Sequence, residues 1–250
     1  FREKINMSGV NSINWARIIC QIVYYFYAAF KIGKQKISFS VPTGNFGDIY
    51  AGYMAKKMGL PIDKLIVATN ENDILQRVIN TGTYKPEKVK PSLSPSMDIQ
   101  VSSNFERLLF DIVGQDDKKV VSLMNDLTTK SFFKLIKETI KIIKKDFCAE
   151  TISDQETLSI IKKINEEFKF ILDPHTATAL GAANKIGTPS EIIILGTAHP
   201  YKFLETVKKA TGQEIKAPAQ LANFMDIEEK FDIVSNNVSK IKKYILEKVA

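Results

Sequence analysis

The chain has 250 residues, 44% hydrophobic and 25% charged, enough apolar content to bury a core in one large domain or two small ones. Its formal charge is +7, but arginine is confined to Arg2, Arg17, Arg77 and Arg107 and the lysines are scattered, often in pairs on helical patterns; solvated helix faces fit this better than nucleic-acid binding, and a phosphorylated or carboxylate substrate would still feel the field. Cys20 and Cys148 lie far apart with no CxxC or Cys/His spacing, which indicates neither a zinc site nor a disulfide framework and points to a reducing, cytoplasmic setting.

The first residue is Phe1, and residues 1–14 have neither the apolar stretch nor the cleavage site of a signal peptide; the expectation is a chain that begins inside a longer parent. Residues 13–30 have the apolar density of a long helix, with Asn11 and Ser12 as capping candidates. Their apolar run, residues 18–30, is 13 long and holds a glutamine, short of the roughly 20 residues of a membrane span, and reads as a buried core helix. Residues 37–41 then read as a strand, 46–58 as a helix ending at Gly59 and Pro61, and 64–68 ("KLIVA") as a second strand. A strand, helix and strand within about thirty residues form a βαβ unit, so an α/β fold with a parallel sheet and flanking helices is predicted.

Residues 81–96 are rich in Pro, Ser, Lys and Gly and read as an irregular loop; 104–112, 116–129 and 131–145 follow as helices. Ser153 and Glu156 have capping-box spacing at the head of a helix over 153–168. "DPHTATALGAANKIG" (173–187) is a small-residue helix with proline in its first turn, and "EIIILGT" (191–197) a buried strand ending at a glycine. The expected organisation is residues 1–211 as part of one α/β domain, with 81–150 as its irregular loop and helical insertion, and 212–250 as a lysine-rich tail whose helix covers 234–249.

One turn carries chemistry. In "VPTGNFGDIY" (41–50) two glycines, an asparagine and an aspartate separate strand from helix. Gly44 and Gly47 permit positive φ and close approach of a ligand, the free amides of the helix start favour an anion, and a terminal phosphate would suit the site. Asn45 offers an amide, while Asp48 either caps the helix or fixes the loop from behind. No GKS, GKT or GxGxxG accompanies the turn, so it is neither a Walker loop nor a dinucleotide fingerprint; on spacing alone a plain tight turn remains open. A second constellation, "LGTAHPYKF" (195–203), puts Thr197 and His199 where ligands gather at strand carboxyl ends, with Thr197 able to donate a neutral hydrogen bond to a heteroaromatic nitrogen. His199, and His175 in the first turn of the 173–187 helix, are equally readable as packed or turn histidines.

Six blocks in order carry a resemblance: "NSINWARI" (11–18), "SVPTGNFGD" (40–48), "ATNENDIL" (68–75), "PSLSPSMDIQVSSNFERLLFD" (91–111), "DPHTATA" (173–179) and "LGTAHPYKF" (195–203). In these the chain resembles the threonine synthase family, pyridoxal 5'-phosphate enzymes of fold type II, the tryptophan synthase β-like class. The resemblance implies that Gly44, Asn45, Phe46 and Asp48, with Gly47 completing the glycine pair, belong to the cofactor phosphate loop. It also implies that Thr197 faces the pyridine nitrogen, and that the reaction converts O-phosphohomoserine and water to threonine and phosphate. The family's lysine, which carries the cofactor as a Schiff base in a phenylalanine-lysine-aspartate motif, has no match here, nor does the serine/threonine-rich segment that binds the substrate carboxylate; Lys145, in "KKDFCAE", lacks the context. The expectation is the C-terminal portion of a cofactor domain, inactive by itself, from either a fragment or a decayed gene. The alternatives are a non-catalytic remnant that binds a phosphorylated ligand and a serine or threonine dehydratase, whose run of successive glycines is absent. Metal and membrane roles are not expected.

Overall fold

The computed structural model describes residues 1–7, 9, 11–219 and 227–249. Its first long helix, α1 (Trp15–Ile32), starts at Asn14, whose side chain accepts from the Ala16 amide at 3.0 Å. Neither Asn11 nor Ser12 is the cap, because the Asn11 side chain is already used by the Ile13 amide at 3.0 Å in the preceding turn. Nor is α1 buried all round. Ile18, Tyr25 and Ala29 are buried, while Ile19, Val23, Tyr27 and Phe30, on another face, are exposed.

Strand β1 (Ile37–Pro42), helix α2 (Gly47–Lys57) and strand β2 (Ile62–Thr69) form the predicted βαβ unit, and the two strands pair in parallel. After helix α3 (Ile74–Thr81), the loop region contains a short strand, β3 (Thr83–Tyr84), antiparallel to β4 (Phe133–Lys134). Between them lie α4 (Phe105–Ile112) and α5 (Asp117–Lys130). The helix expected over 131–145 starts only at Lys137 (α6, Lys137–Asp146), since Ser131 takes left-handed φ of 63° and ends α5 before the strand.

Strand β5 (Phe147–Thr151) follows α6 and pairs with β2 in parallel, although all of it but Thr151 falls within the stretch read from sequence as loop and helical insertion. Helix α7 (Asp154–Phe168) has the capping box at Ser153 and Glu156, and helix α8 (Pro174–Ile186) is capped by Asp173. Strand β6 (Glu191–Ile194) is exposed to half-buried rather than buried, because only one of its edges is paired, with β1. Helices α9 (Leu204–Thr211), not foreseen from sequence, and α10 (Val238–Val249) close the described chain. Part of the expected 212–250 tail, residues 220–226 and 250, lies outside the described residues.

The main sheet has the order β5-β2-β1-β6, with every pairing parallel. Side chains alternate across it: Leu65 and Val67 enter a core shared with α1, α2 and α3, while Ile66 and Ala68 enter a second core with Ala179, Ala182 and Ala183 of α8. On that second face β1 presents the small Ser38 and Ser40, and the Ser40 hydroxyl donates to the Ala179 carbonyl at 2.7 Å, which lets α8 lie close. Because β1 connects onward to β2 on one side but neighbours β6 on the other, the strand order reverses between β1 and β6. In parallel α/β sheets such a reversal opens a crevice at the strand carboxyl ends. No helix among the described residues is long and apolar enough to cross a membrane.

Candidate functional site

The turn after β1 and the segment after β6 both open at that reversal. Residues 42–48, with Ser12, Arg17, Gln21 and Ser96, line a cavity of about 170 Å³. A second cavity, of about 470 Å³, is lined by Gln21, Tyr24, Tyr27, Asp48, Gly196 and Thr197 among others. Gln21 and Asp48 belong to both linings, so the two spaces adjoin. The structure thus gathers Gly44, Asn45, Phe46, Gly47 and Asp48 around one space and sets Thr197 on its neighbour.

The turn is held from outside by its carbonyls. Gly44 O accepts from the Ser102 hydroxyl at 2.9 Å, and Asn45 O accepts from both the backbone amide and the side-chain amide of Asn104, each at 3.0 Å. The Asn45 side-chain oxygen takes a longer bond from Ser103, at 3.4 Å. With the carbonyls drawn outward, the backbone amides of residues 44–48, five in succession, find no protein acceptor among the described residues. Three of them would be unpaired at any helix start; five in a row, beside a cavity, leave a concavity lined by free N–H donors, and a helix start favours negative charge by roughly 0.3–1 kcal/mol.

The positive φ expected of the glycines is found elsewhere. Neither Gly44 nor Gly47 has φ in the left-handed region, whereas Phe46 does, at φ 63° and ψ 4°. A phenylalanine there costs about 1–2 kcal/mol. The ring is 1% exposed and packs against Phe105 and Phe147 at centroid distances of 5.4 and 5.6 Å, and burial of that size outweighs the strain. Gly44 is required instead by close approach: a Cβ would lie 2.7 Å from the carbonyl oxygen of Ser96, in the 3-10 turn Pro95–Met97. Gly47 is less constrained, its nearest neighbour being the Asn104 side chain at 3.3 Å.

Asp48, in the first turn of α2, is fixed from α1. Its Oδ1 accepts from the hydroxyls of both Tyr24 and Tyr25, the latter at 3.0 Å, and its carbonyl takes a further bond from Tyr25 at 3.0 Å. Burial raises the pKa of this carboxyl, and the two tyrosine bonds only partly oppose the shift. Both tyrosines are themselves pushed well up, first by burial and then by the Asp48 charge.

Thr197 is exposed and makes no protein hydrogen bond among the described residues, so its hydroxyl is free for a ligand. His199 is exposed and caps the 3-10 turn Pro200–Phe203, its Nδ1 accepting from the Tyr201 amide at 3.1 Å. His175 is 2% exposed and lines neither cavity. Arg17 and Gln21 were not singled out from sequence. They stand one helical turn apart on α1, polar positions in an apolar helix, and that spacing was the available signal. The Arg17 guanidinium has no ion pair among the described residues.

Fold and site together define a parallel α/β protein with an amide-lined turn at its topological switch point. A family model described as "Threonine synthase, C-terminal" matches residues 176–245. The chain is 44% identical to threonine synthase of Pseudomonas aeruginosa across 98% of its own length and 53% of that protein, and 42% identical to the Saccharomyces cerevisiae enzyme across 100% and 55%. A crystal structure of threonine synthase from Brucella melitensis, described as PLP-bound, superposes with TM-score 0.95 at 43% identity, covering 98% of this chain and 54% of that one. The chain belongs to the threonine synthase family. It spans about half the length of the relatives it matches.

Proposed function

We propose that the protein containing this chain converts O-phosphohomoserine and water to threonine and phosphate with pyridoxal 5'-phosphate, and that residues 44–48 cradle the cofactor phosphate. The observation that carries the reading is the run of five amides, without a protein acceptor among the described residues, lining a cavity at a helix start. These donors suit a phosphate, which offers several acceptor oxygens and a charge that the helix dipole favours. The adjoining 470 Å³ space gives a ring somewhere to lie, with Thr197 on its wall.

When bound, the cofactor supplies an electron sink for carbanionic charge. The rest falls to the protein. Thr197, a neutral hydroxyl, would hydrogen-bond the pyridine nitrogen without the strong stabilisation of its protonated form that a carboxylate gives, a bias toward elimination and replacement chemistry. Arg17 adds positive charge at the rim of the smaller cavity. Asp48 keeps Oδ1 turned onto two tyrosine hydroxyls of α1, while its amide stays with the cradle.

For the 250 residues by themselves we infer anion binding without turnover, since no lysine lines either cavity among the described residues and a cofactor-bearing amine is what the chemistry needs. Titration of the chain with pyridoxal 5'-phosphate and with inorganic phosphate, followed by calorimetry, tests the cradle. Saturable binding of both is expected, with inorganic phosphate competing against pyridoxal 5'-phosphate. Failure of both to bind removes the cradle; threonine formed from O-phosphohomoserine by the 250 residues removes the claim of inactivity. Assay of the complete encoded protein with O-phosphohomoserine tests the reaction, and release of phosphate without threonine would refute it.

A further inference from the structure

The buried histidine that the reading above leaves without a role sits behind the anion cavity. His175 Nε2 accepts from the backbone amide of Ser96, 79 residues away, at 3.3 Å. Since that nitrogen accepts, the ring proton lies on Nδ1, which faces Asp173 Oδ1 at 3.2 Å. Asp173 is itself over-determined. It caps α8, taking the His175 and Thr176 amides at 2.8 and 3.3 Å and the Thr176 hydroxyl as well. Burial works to raise its pKa, yet the bonds from His175 and Thr176 prevail and hold it below the usual carboxylate range. The ring of Phe203, from the turn that follows Thr197, covers the imidazole at a centroid distance of 5.0 Å.

The far end of this chain of bonds is the cavity wall. Ser96 lines the 170 Å³ space, and its carbonyl oxygen is the atom seated against Gly44. On the other side the first turn of α8 abuts the β6 segment, with the Thr176 hydroxyl oxygen 3.8 Å from where a Cβ on Gly196 would lie. One helical turn therefore touches both walls: the Ser96 wall beside the amide cradle, and the Gly196 wall that carries Thr197.

We propose that His175 is a positioning residue for the anion site, its Nε2 fixing the Ser96 turn against Gly44 so that the cradle keeps its width. The inference rests on the cradle reading for its ligand but not for its contact. It explains why a histidine, an acceptor on a rigid ring, stands at a buried position of an otherwise small-residue helix. A leucine would fill similar space and leave the Ser96 amide without its partner, whereas a glutamine would carry an acceptor oxygen to about the same place.

Two measurements decide it. In the 15N-labelled chain without ligand, His175 Nε2 should resonate as an unprotonated ring nitrogen with a scalar coupling to the Ser96 amide; a protonated Nε2, or no coupling, overturns the proposal without any variant. In His175→Leu the Ser96 amide should exchange roughly tenfold faster and pyridoxal 5'-phosphate should bind roughly tenfold more weakly, the worth of one hydrogen bond of about 1.4 kcal/mol. His175→Gln should restore both to within about twofold. Equal loss in both variants would mark His175 as a packing residue and sink the idea, as would unmoved Ser96 and Gly44 resonances in His175→Leu. If the parent chain binds no anion, the cradle reading falls, while the coupling and exchange data still settle the Ser96 contact.

Discussion

Gly44 and Gly47 occupy equivalent-looking places in "TGNFGD", yet the structure predicts opposite outcomes for the same substitution. In Gly44→Ala the new Cβ would stand 2.7 Å from Ser96 O and 3.2 Å from Met97 Cα, both backbone atoms. Ordinary contact begins at 3.4 Å, so the turn must retreat by about 3.4 − 2.7 = 0.7 Å. That turn is anchored by the Ser96 bond to His175 and by Met97 N to Ser94 O at 2.9 Å, and moving it costs about 1–3 kcal/mol, the usual range for overpacking. In Gly47→Ala the nearest atom is a side-chain nitrogen at 3.3 Å, which needs only about 0.1 Å of adjustment. With φ outside the left-handed region, and at the first residue of α2 rather than in its interior, alanine there should gain at most about 0.5 kcal/mol over glycine. Urea unfolding of both variants beside the parent, with the m-value checked for constancy, reads the difference directly. Each kcal/mol should also appear as a shift of about 2–4 °C in Tm. Gly44→Ala should unfold first, parent and Gly47→Ala close together, and anion affinity should fall only in Gly44→Ala. A Gly44→Ala midpoint equal to the parent's, or a Gly47→Ala midpoint below that of Gly44→Ala, would refute the reasoning from backbone contact.

Phe46→Ala should cost about 3–5 kcal/mol in the same unfolding assay, because the buried ring lost to Phe105 and Phe147 outweighs anything gained at the strained backbone; a loss under about 1 kcal/mol would show the ring to be dispensable. Asp48 has a folded pKa raised by burial, so the folded chain binds more protons than the unfolded one between the ordinary value of 3.8 and the folded value, and stability falls as pH rises through that window. Asp48→Asn should flatten this fall in stability measured against pH, and an unchanged slope would contradict the assignment. Ser153→Ala should cost about 1 kcal/mol as a lost cap. Glu156 is held down to about 2 by the Lys185 ion pair and then by the Ser153 bonds, so its contribution is present above 4.5 and lost as pH falls toward 2; the variant should narrow that acid transition. Thr197→Ala, at an exposed residue without a protein partner, should leave stability within about 0.5 kcal/mol while weakening or spectrally retuning bound pyridoxal 5'-phosphate in the complete protein; an identical spectrum would count against Thr197 as the ring partner.

What was legible in the sequence is what local chemistry decides. The βαβ unit, the capping box at Ser153 and Glu156, and the proline-led helix after Asp173 depend on residues a few positions apart, and the structure has all three. Strand β5 was hidden because "FCAET" follows directly on a lysine-rich helix with no turn residue between; Phe147 serves at once as the end of α6 and the start of β5. The character of α1 was misjudged for a different reason. Its apolar residues cover two faces, and composition alone cannot tell a helix buried all round from one with a face left open. In the turn itself, the expectation of positive φ fell on the wrong residues. Glycine suggests positive φ, but here the left-handed residue is Phe46, stabilised by Phe105 and Phe147, which lie far along the chain. No local pattern encodes that trade between strain and burial.

The position of α1 ties the two cavities into one site. Tyr24 and Tyr25 reach Asp48 from α1, and the same helix sets Arg17 and Gln21 on the wall of the cavity beside the turn. The contact that seats the helix therefore also sets the charge at the rim and the wall shared by both spaces. An anion entering beside Asp48 would raise its pKa further, in the direction burial already drives it. Protonation of Asp48 would lessen repulsion of the anion and leave Oδ1 able to accept at least one tyrosine bond, so the carboxyl can adjust its charge without releasing α1. That is a reason for an aspartate to stand at the head of α2: it links α1 to α2 through a group whose charge a bound anion would suppress. Asparagine would preserve the link with the charge removed, and alanine would break it. Anion affinity should consequently rise or hold in Asp48→Asn and fall in Asp48→Ala, and an equal fall in both would show that the carboxylate, rather than the tether, is what the site requires.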